Sequence, residues 1–313
     1  MTRYNKVLLT VCGVFVLVIG SLIFILPQRN FSESENRYLA KLPSFSIRSL
    51  TDGSYAKGIS NFYTDQFPAR YAATSAYAIC ERSMGKNNIG GVIKYQDKLI
   101  SIPKKQTAKS DLPIPAVCVE SKYDLFKDES DALTLYYNTD HHRTTYGAYL
   151  LYIEVCKELE LTPYPESYFQ KQTVCTDFYG TDFFRSCLPR FFVSSDSIEL
   201  WRYVNDENIR FTIHDTEVAS YGLYDMSKLE SADKYAVFLG GNYAYATVYS
   251  SPEKPKLLLY KDSFANAVVP FLALHFNIDM IDPRYATQSQ ISSAYADTDY
   301  SDRLFIGCLD SFG

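Results

Sequence analysis

The stretch "KPKLLLYKDSFANAVVPFLALHF", residues 254–276, decides the fold. Its apolar run up to Tyr260 is of the kind buried in parallel sheets, where both faces of a strand are covered. A tight turn follows, and a helix is expected from near Phe264 despite Pro270. Strand, turn and helix in that order put Ser263 at the carboxyl end of a strand and at a helix N-terminus. Sites of α/β proteins lie on that edge, and free N–H groups there suit an oxyanion. The plain alternative is that Asp262 or Ser263 only caps the helix.

Working outward, "KYAVFLGG" (234–241), "IDMIDPRY" (278–285) and "RLFIGCL" (303–309) are further apolar runs and read as buried strands. Strands alternating with helices in the last third predict an α/β sandwich around a parallel sheet. Upstream, "TTYGAYLLYIEVCKELE" (144–160) has helical spacing, with Tyr146, Tyr149, Leu150, Ile153 and Cys156 on one face. Residues 52–86 suggest two helices, the first with Ile59, Phe62 and Tyr63 on one face and the second opening near Pro68. "GGVIKYQDKLIS" (90–101) reads as a hairpin turning at Gln96–Asp97, and Thr176 to Tyr224 as mostly strands and turns.

At 47% hydrophobic over 313 residues, the chain can fill a sizeable core, which excludes a disordered protein. The first 26 residues carry Arg3 and Lys6 and no acid, leaving 29 basic and 36 acidic residues beyond them, a net of −7. No basic run interrupts that balance, so no nucleic-acid partner is expected. The 27 tyrosines suit a sugar-binding surface, although most aromatic rings in a chain of this kind fill its core.

Val7 to Leu26 is an uncharged run of 20 residues. A helix of that length rises roughly 30 Å, enough to span the hydrocarbon core of a bilayer. The run exceeds a signal-peptide core of about 7–15 residues and no small-residue cleavage site follows it. The expected organisation is a cytoplasmic stub (1–6), a transmembrane helix (7–26), a linker (27–46) and an extracytoplasmic body (47–313) held at the cell membrane by a single pass. Six cysteines lie beyond the run, with no C-x-x-C, so a zinc ribbon is excluded; Cys175 and Cys187 bracket a short loop and are the pair best placed for a disulfide, with buried thiols as the alternative.

Residues 137–146, "YNTDHHRTTY", place two of the four histidines beside an acid. A serine nucleophile needs a histidine to take its proton and an acid to hold the histidine's tautomer. In an extended segment, residues two apart point the same way, so Asp140 reaches His142 while His141 points to the other side. A metal reading competes, but diverging neighbours would need further ligands, with His214 and His275 as the candidates. No metal and no cofactor is expected.

Six stretches then occur in order: "FSESENRYLAKLP" (31–43), "YTDQFPAR" (63–70), "YNTDHHRTTYGAY" (137–149), "DKYAVFLGGN" (233–242), the opening stretch, and "DPRY" (282–285). Together they resemble the DHHW protein family of Gram-positive bacteria, which is similar to periplasmic alginate O-acetylation enzymes and, through them, to SGNH hydrolases. The resemblance implies an SGNH-like three-layer sandwich with Ser263 as nucleophile, His142 as general base and Asp140 as its orienting acid. It implies O-acyl transfer to, or ester cleavage on, a cell-surface glycan, with a membrane partner supplying acyl groups. For the oxyanion, the backbone N–H of Ser263 or Phe264, Asn242 and Arg284 are the candidates. Two departures stand out. The family's tryptophan is Arg143 here, beside His142, and Pro103 to Asp131 does not supply the strand–helix unit expected before Asp140. A catalytically inactive glycan-binding or scaffold protein of an envelope polysaccharide pathway is the alternative.

Overall fold

The computed structural model describes residues 3–25, 27–32, 37–68, 70–95, 98–101, 135–296 and 299–307. The expected gap at 103–131, the Gln96–Asp97 turn, Cys118 and Cys308 lie outside the described residues. The N-terminal part runs from α1 (Arg3–Ile25) through a short ribbon, β1 (Phe31–Ser32) with β2 (Arg37–Tyr38), into α2 (Ile47–Thr51), α3 (Ser54–Asp65) and α4 (Arg70–Ser83). Among the described residues, no helix is long and apolar enough to cross a membrane. Strands β3 (Asn88–Ile89), β4 (Val92–Tyr95) and β5 (Lys98–Ser101) form an antiparallel meander, with the β4–β5 pair where the hairpin is expected.

Helix α5 (Thr145–Glu158) opens the larger part; the Thr144 hydroxyl accepts from the Gly147 N–H and caps it. Its buried side is Ala148, Tyr149, Tyr152, Val155 and Cys156, turned from the expected face, so Tyr146, Leu150 and Ile153 are only partly covered. A two-stranded ribbon follows, β6 (Gln170–Phe178) with β7 (Asp196–Arg202), and α6 (Thr181–Ser186) lies between its strands in sequence.

The main sheet has six strands in the order β13-β11-β12-β10-β8-β9. They are β8 (Arg210–Ile213), β9 (Val218–Tyr221), β10 (Tyr245–Tyr249), β11 (Lys256–Lys261), β12 (Asn277–Ile281) and β13 (Asp302–Ile306). The parallel sheet expected from the sequence is only half of it: β12, β11 and β13 are parallel, whereas β12–β10, β10–β8 and β8–β9 are antiparallel. Connection length explains the difference. A parallel return needs a crossover of a dozen or more residues. Residues 262–276, with α7 (Val269–Leu272), and 282–301, with α8 (Gln288–Ala296), provide two such crossovers. Residues 250–255 are too few for one, so β10 runs against β11.

Strand β11 is the axis of the fold because both of its faces are buried. Leu257 and Leu259 join the large core with α5 and α7, while Leu258 and Tyr260 pack with Ile291 of α8 and Tyr300. Alternate residues of a strand point to opposite faces, which is why a continuous apolar run was needed here. "KYAVFLGG" is buried as expected but is not a strand. Lys234–Val237 is a 3-10 turn, and Leu239, Gly240 and Gly241 have φ of 65°, 75° and 143°, outside the extended range. Cys175 and Cys187 stay as thiols, the alternative to a disulfide between them, with Cys175 buried and Cys187 partly so. The Cys175 thiol on β6 donates to Asp177, and Cys187, which ends α6, turns its thiol to the Arg185 carbonyl.

Candidate active site

The site is assembled from two chain segments 121 residues apart, one ending β11 and one preceding α5. At the end of β11, Asp262 is fully buried and its carboxylate accepts from the Phe264 N–H at 2.8 Å, which starts a single 3-10 turn, Ser263–Ala265. The helix expected from Phe264 is thereby broken into this turn and the short α7. Asp262 is the cap, and Ser263 is free to present its hydroxyl at the sheet edge, partly exposed.

The second segment is a bend and not an extended strand. The Tyr137 N–H donates to the His142 carbonyl at 3.2 Å and the Thr144 N–H to the Leu135 carbonyl at 3.0 Å, closing residues 138–142 into a loop. Asp140 Oδ1 accepts both from the His142 backbone N–H at 2.9 Å and from its ring Nδ1 at 2.5 Å, while Oδ2 accepts from the Thr181 N–H at 2.7 Å. An ionised carboxylate only accepts, so the proton is on Nδ1 and Nε2 carries the lone pair. That Nε2 lies 2.9 Å from Ser263 Oγ. Burial raises the Asp140 pKa, but the His142 charge and hydrogen bonds, with His141, outweigh it and hold the carboxyl below the usual carboxylate range.

The bend is gripped by the end of the β6–β7 ribbon, where Phe178 and Asp196 are register partners. Asp196 accepts from the Asn138 N–H (2.9 Å), the Thr139 N–H (2.8 Å) and the Thr139 hydroxyl (2.6 Å); burial raises its pKa. Past the other strand, Gly180 lies so close that a Cβ there would sit 2.2 Å from the Asp140 side chain. Over His142 the Tyr235 ring stacks at 3.8 Å between centroids and 8° between planes, and its hydroxyl donates to the Ser263 carbonyl at 3.3 Å. This explains why "KYAVFLGG" turns instead of pairing: the 3-10 turn delivers Tyr235 to the histidine.

Asp140, His142 and Ser263 are therefore brought together, and several expectations about their neighbours are corrected. The His141 ring does not point away; in a bend it lies 4.1 Å from the His142 ring and 5.3 Å from that of Phe264. Burial and the His142 charge pull the His141 pKa down to about 4, so it is neutral near pH 7. The Phe264 N–H is taken by Asp262 and is not offered to an oxyanion. Arg284 gives Nε and Nη2 to the Asp282 carboxylate, at 2.9 and 2.6 Å. Asn242 accepts through Oδ1 from Lys261 and Asn266, and among the described residues its Nδ2 donates to no protein group. Arg143 is buried and packs its guanidinium over Tyr136, 4.8 Å from the ring centre.

A metal is not excluded by divergence, since Asp140, His141 and His142 offer ligand atoms all within 4.8 Å of one another. The fit is poor for another reason: both ring nitrogens of His142 are occupied, by Asp140 and Ser263. His275 is paired with the Tyr152 hydroxyl and His214 with that of Thr247, and neither joins the group. Gly180, Asp196 and Tyr235 were missed by sequence reading; only Gly180, a glycine just before a helix start, carries a local signal.

Fold and site together define a mixed α/β protein with a serine at the carboxyl edge of its sheet, hydrogen-bonded to a histidine–aspartate pair. The chain belongs to the DHHW protein family, whose model matches residues 116–281. Among solved structures it is similar to a DHHW family protein from Eubacterium siraeum, at 22% identity over 57% of this chain and 61% of that one, with a TM-score of 0.48. It is also similar to Bacillus cereus PatB1, solved with a sulfonyl adduct, at 17% identity over 57% and 61% of the two chains and a TM-score of 0.45. The matches thus span less than two thirds of those chains. Comparison with curated proteins gives no match.

Proposed function

We propose that this protein is a membrane-anchored, extracytoplasmic O-acyltransferase or esterase of SGNH-like architecture that acts on a cell-surface glycan. The observation that carries the reading is the hydrogen-bonded series Asp140 Oδ1, His142 Nδ1, His142 Nε2 and Ser263 Oγ, with spacings of 2.5 and 2.9 Å at its two links. Ser263 Oγ attacks the acyl carbonyl as its proton passes to His142 Nε2, and Asp140 stabilises the imidazolium. The same proton then goes to the departing alkoxide, leaving an acyl-enzyme. A sugar hydroxyl gives its proton to His142, attacks the acyl carbon and releases Ser263; water in its place makes the protein an esterase. The Ser263 N–H and the Asn242 amide are the oxyanion donors left once Phe264 and Arg284 are assigned elsewhere. Membrane anchoring rests on the uncharged run Val7–Leu26, and a membrane partner supplying acyl groups follows from the extracytoplasmic placement. N-terminal sequencing from the membrane fraction should find the run retained; a mature start after Leu26 would remove the anchor.

The test of the chemistry is turnover of 4-nitrophenyl acetate together with labelling by a fluorophosphonate. Ser263 alone should be labelled, and Ser263→Ala should abolish both signals. Chelator-sensitive turnover without labelling would favour a metal at Asp140, His141 and His142. A folded protein that neither cleaves the ester nor takes the probe would be the glycan-binding or scaffold protein.

A further inference from the structure

Lys261, the last residue of β11, is 2% exposed, and the acyl-transfer steps above make no use of it. Its Nζ donates to Asn266 Oδ1 at 2.5 Å and to Asn242 Oδ1 at 3.5 Å. An ammonium has three donors and no lone pair, so it dictates the sense of both amides: each must turn its oxygen inward. Asn266 then presents its Nδ2 to the Gly241 carbonyl (3.4 Å) and to Asn242 Oδ1 (3.3 Å). Asn266 itself belongs to the Ser263 turn, because its N–H donates to the Ser263 carbonyl at 3.1 Å. The 239–241 turn on the other side has three successive positive φ values, one of them on Leu239, a conformation that persists only when its surroundings hold it.

We propose that Lys261 is a positioning residue that, through Asn266, locks the Gly240–Asn242 loop onto the Ser263 turn and aims the Asn242 side-chain N–H at the oxyanion. The proposal rests on the serine-nucleophile reading. Burying a cation without a carboxylate in contact is unfavourable, and a sheet end could hold an apolar side chain at less cost. What the cation adds is a donor-only anchor. A neutral hydroxyl or amide at the same place both donates and accepts, and would leave Asn242 free to turn its oxygen outward. The charged groups facing Lys261 are Asp262 and Asp282, which favour its protonated form, and Arg284, which opposes it. Burial prevails and brings the amine down to about 8, within reach of a titration. As pH rises through that value the amine gains a lone pair and the lock loosens, so turnover should fall there.

The test uses the full chain with 4-nitrophenyl acetate and the fluorophosphonate. Lys261→Met should lower kcat roughly 10- to 100-fold at nearly unchanged KM, below the loss of about 10²–10³-fold seen when an oxyanion donor is removed outright. It should also slow labelling of Ser263 by the same factor and abolish the alkaline limb near pH 8. Asn242→Ala should match or exceed it, and the double variant should be no worse than Asn242→Ala alone, because the two act as one unit. Asn266→Asp keeps a partner for Lys261 but cannot donate to Gly241 or Asn242; it should reproduce the kcat loss, and it serves if Lys261→Met does not fold. Parental kcat and pH profile in folded Lys261→Met or Asn266→Asp would overturn the proposal. So would multiplicative losses in the double variant. If Ser263→Ala stays active, the nucleophile reading fails instead, whatever the Lys261 variants do.

Discussion

The two halves of the site are built by opposite means. The Ser263 half is largely local: a strand buried on both faces, one capping aspartate and one 3-10 turn place the hydroxyl. The Tyr235 hydroxyl and the Gly241–Asn242 segment touch the turn from other parts of the chain. The Asp140–His142 half is held from outside. Asp196, Gly180, the Thr181 N–H and the Tyr235 ring all come from elsewhere in the chain, and each touches the bend or its histidine. A nucleophile needs only to be presented, whereas a base must be held in one tautomer and one orientation. On the proposed reading, in which Ser263 is the nucleophile and His142 the base, the half with the more exacting task has the more distant partners.

The largest effect expected from breaking this arrangement is at its two ends. Ser263→Ala and His142→Ala should each remove turnover by a factor on the order of 10⁴ or more, and together hardly more than singly, as members of one unit do. Gly180→Ala comes next and tests the external grip. Its backbone φ of −90° suits any residue, so the only obstacle is the new Cβ against Asp140. Displacing Asp140 by about 1 Å should lower kcat on the order of 10²-fold while Ser263 stays intact. A Gly180→Ala protein with parental kcat would show that the grip on Asp140 is dispensable.

A smaller effect separates the two carboxylates that hold the bend. Asp140 has its folded pKa lowered, so its stabilisation is complete above its unfolded value of about 3.9 and is lost as pH falls through the folded value. Asp196 has its pKa raised by burial, so protonation favours the folded state as pH falls through that raised value. In chemical melts between pH 6 and pH 3, Asp140→Asn should flatten the acid loss of stability and Asp196→Asn should steepen it. Equal slopes would mean that neither carboxylate couples to folding. The smallest effect is expected from His141→Ala. His141 is neutral and makes no hydrogen bond at Nδ1, whose carboxylate neighbour Asp182 is 3.9 Å away, so it adds mainly ring contact, and kcat should fall no more than a few-fold. A loss as large as that of His142→Ala would make His141 part of the proton-transfer unit.

What the sequence determined by itself is whatever depends on neighbours in the chain. The apolar run before Ser263 called for burial on two faces, and residues 144–160 had helical spacing, so β11, the turn after it and the existence of α5 were legible, though not the face that α5 buries. The choice of His142 over His141 was also legible, although for a different physical reason. Asp140 reaches the ring two residues on by closing a bend through the His142 N–H, not by alternation along a strand. Tertiary structure alone decided the rest. Sheet direction turned on the shortness of residues 250–255, and "KYAVFLGG" left the strand conformation because its tyrosine covers His142. The Phe264 N–H was lost to the cap of its own turn. Lys261 reads as an ordinary strand-end lysine until β11 is seen to bury it against two asparagines from different turns. In each case the deciding partner lies across a turn or far along the chain, and short-range pattern has no term for the free energy of that contact.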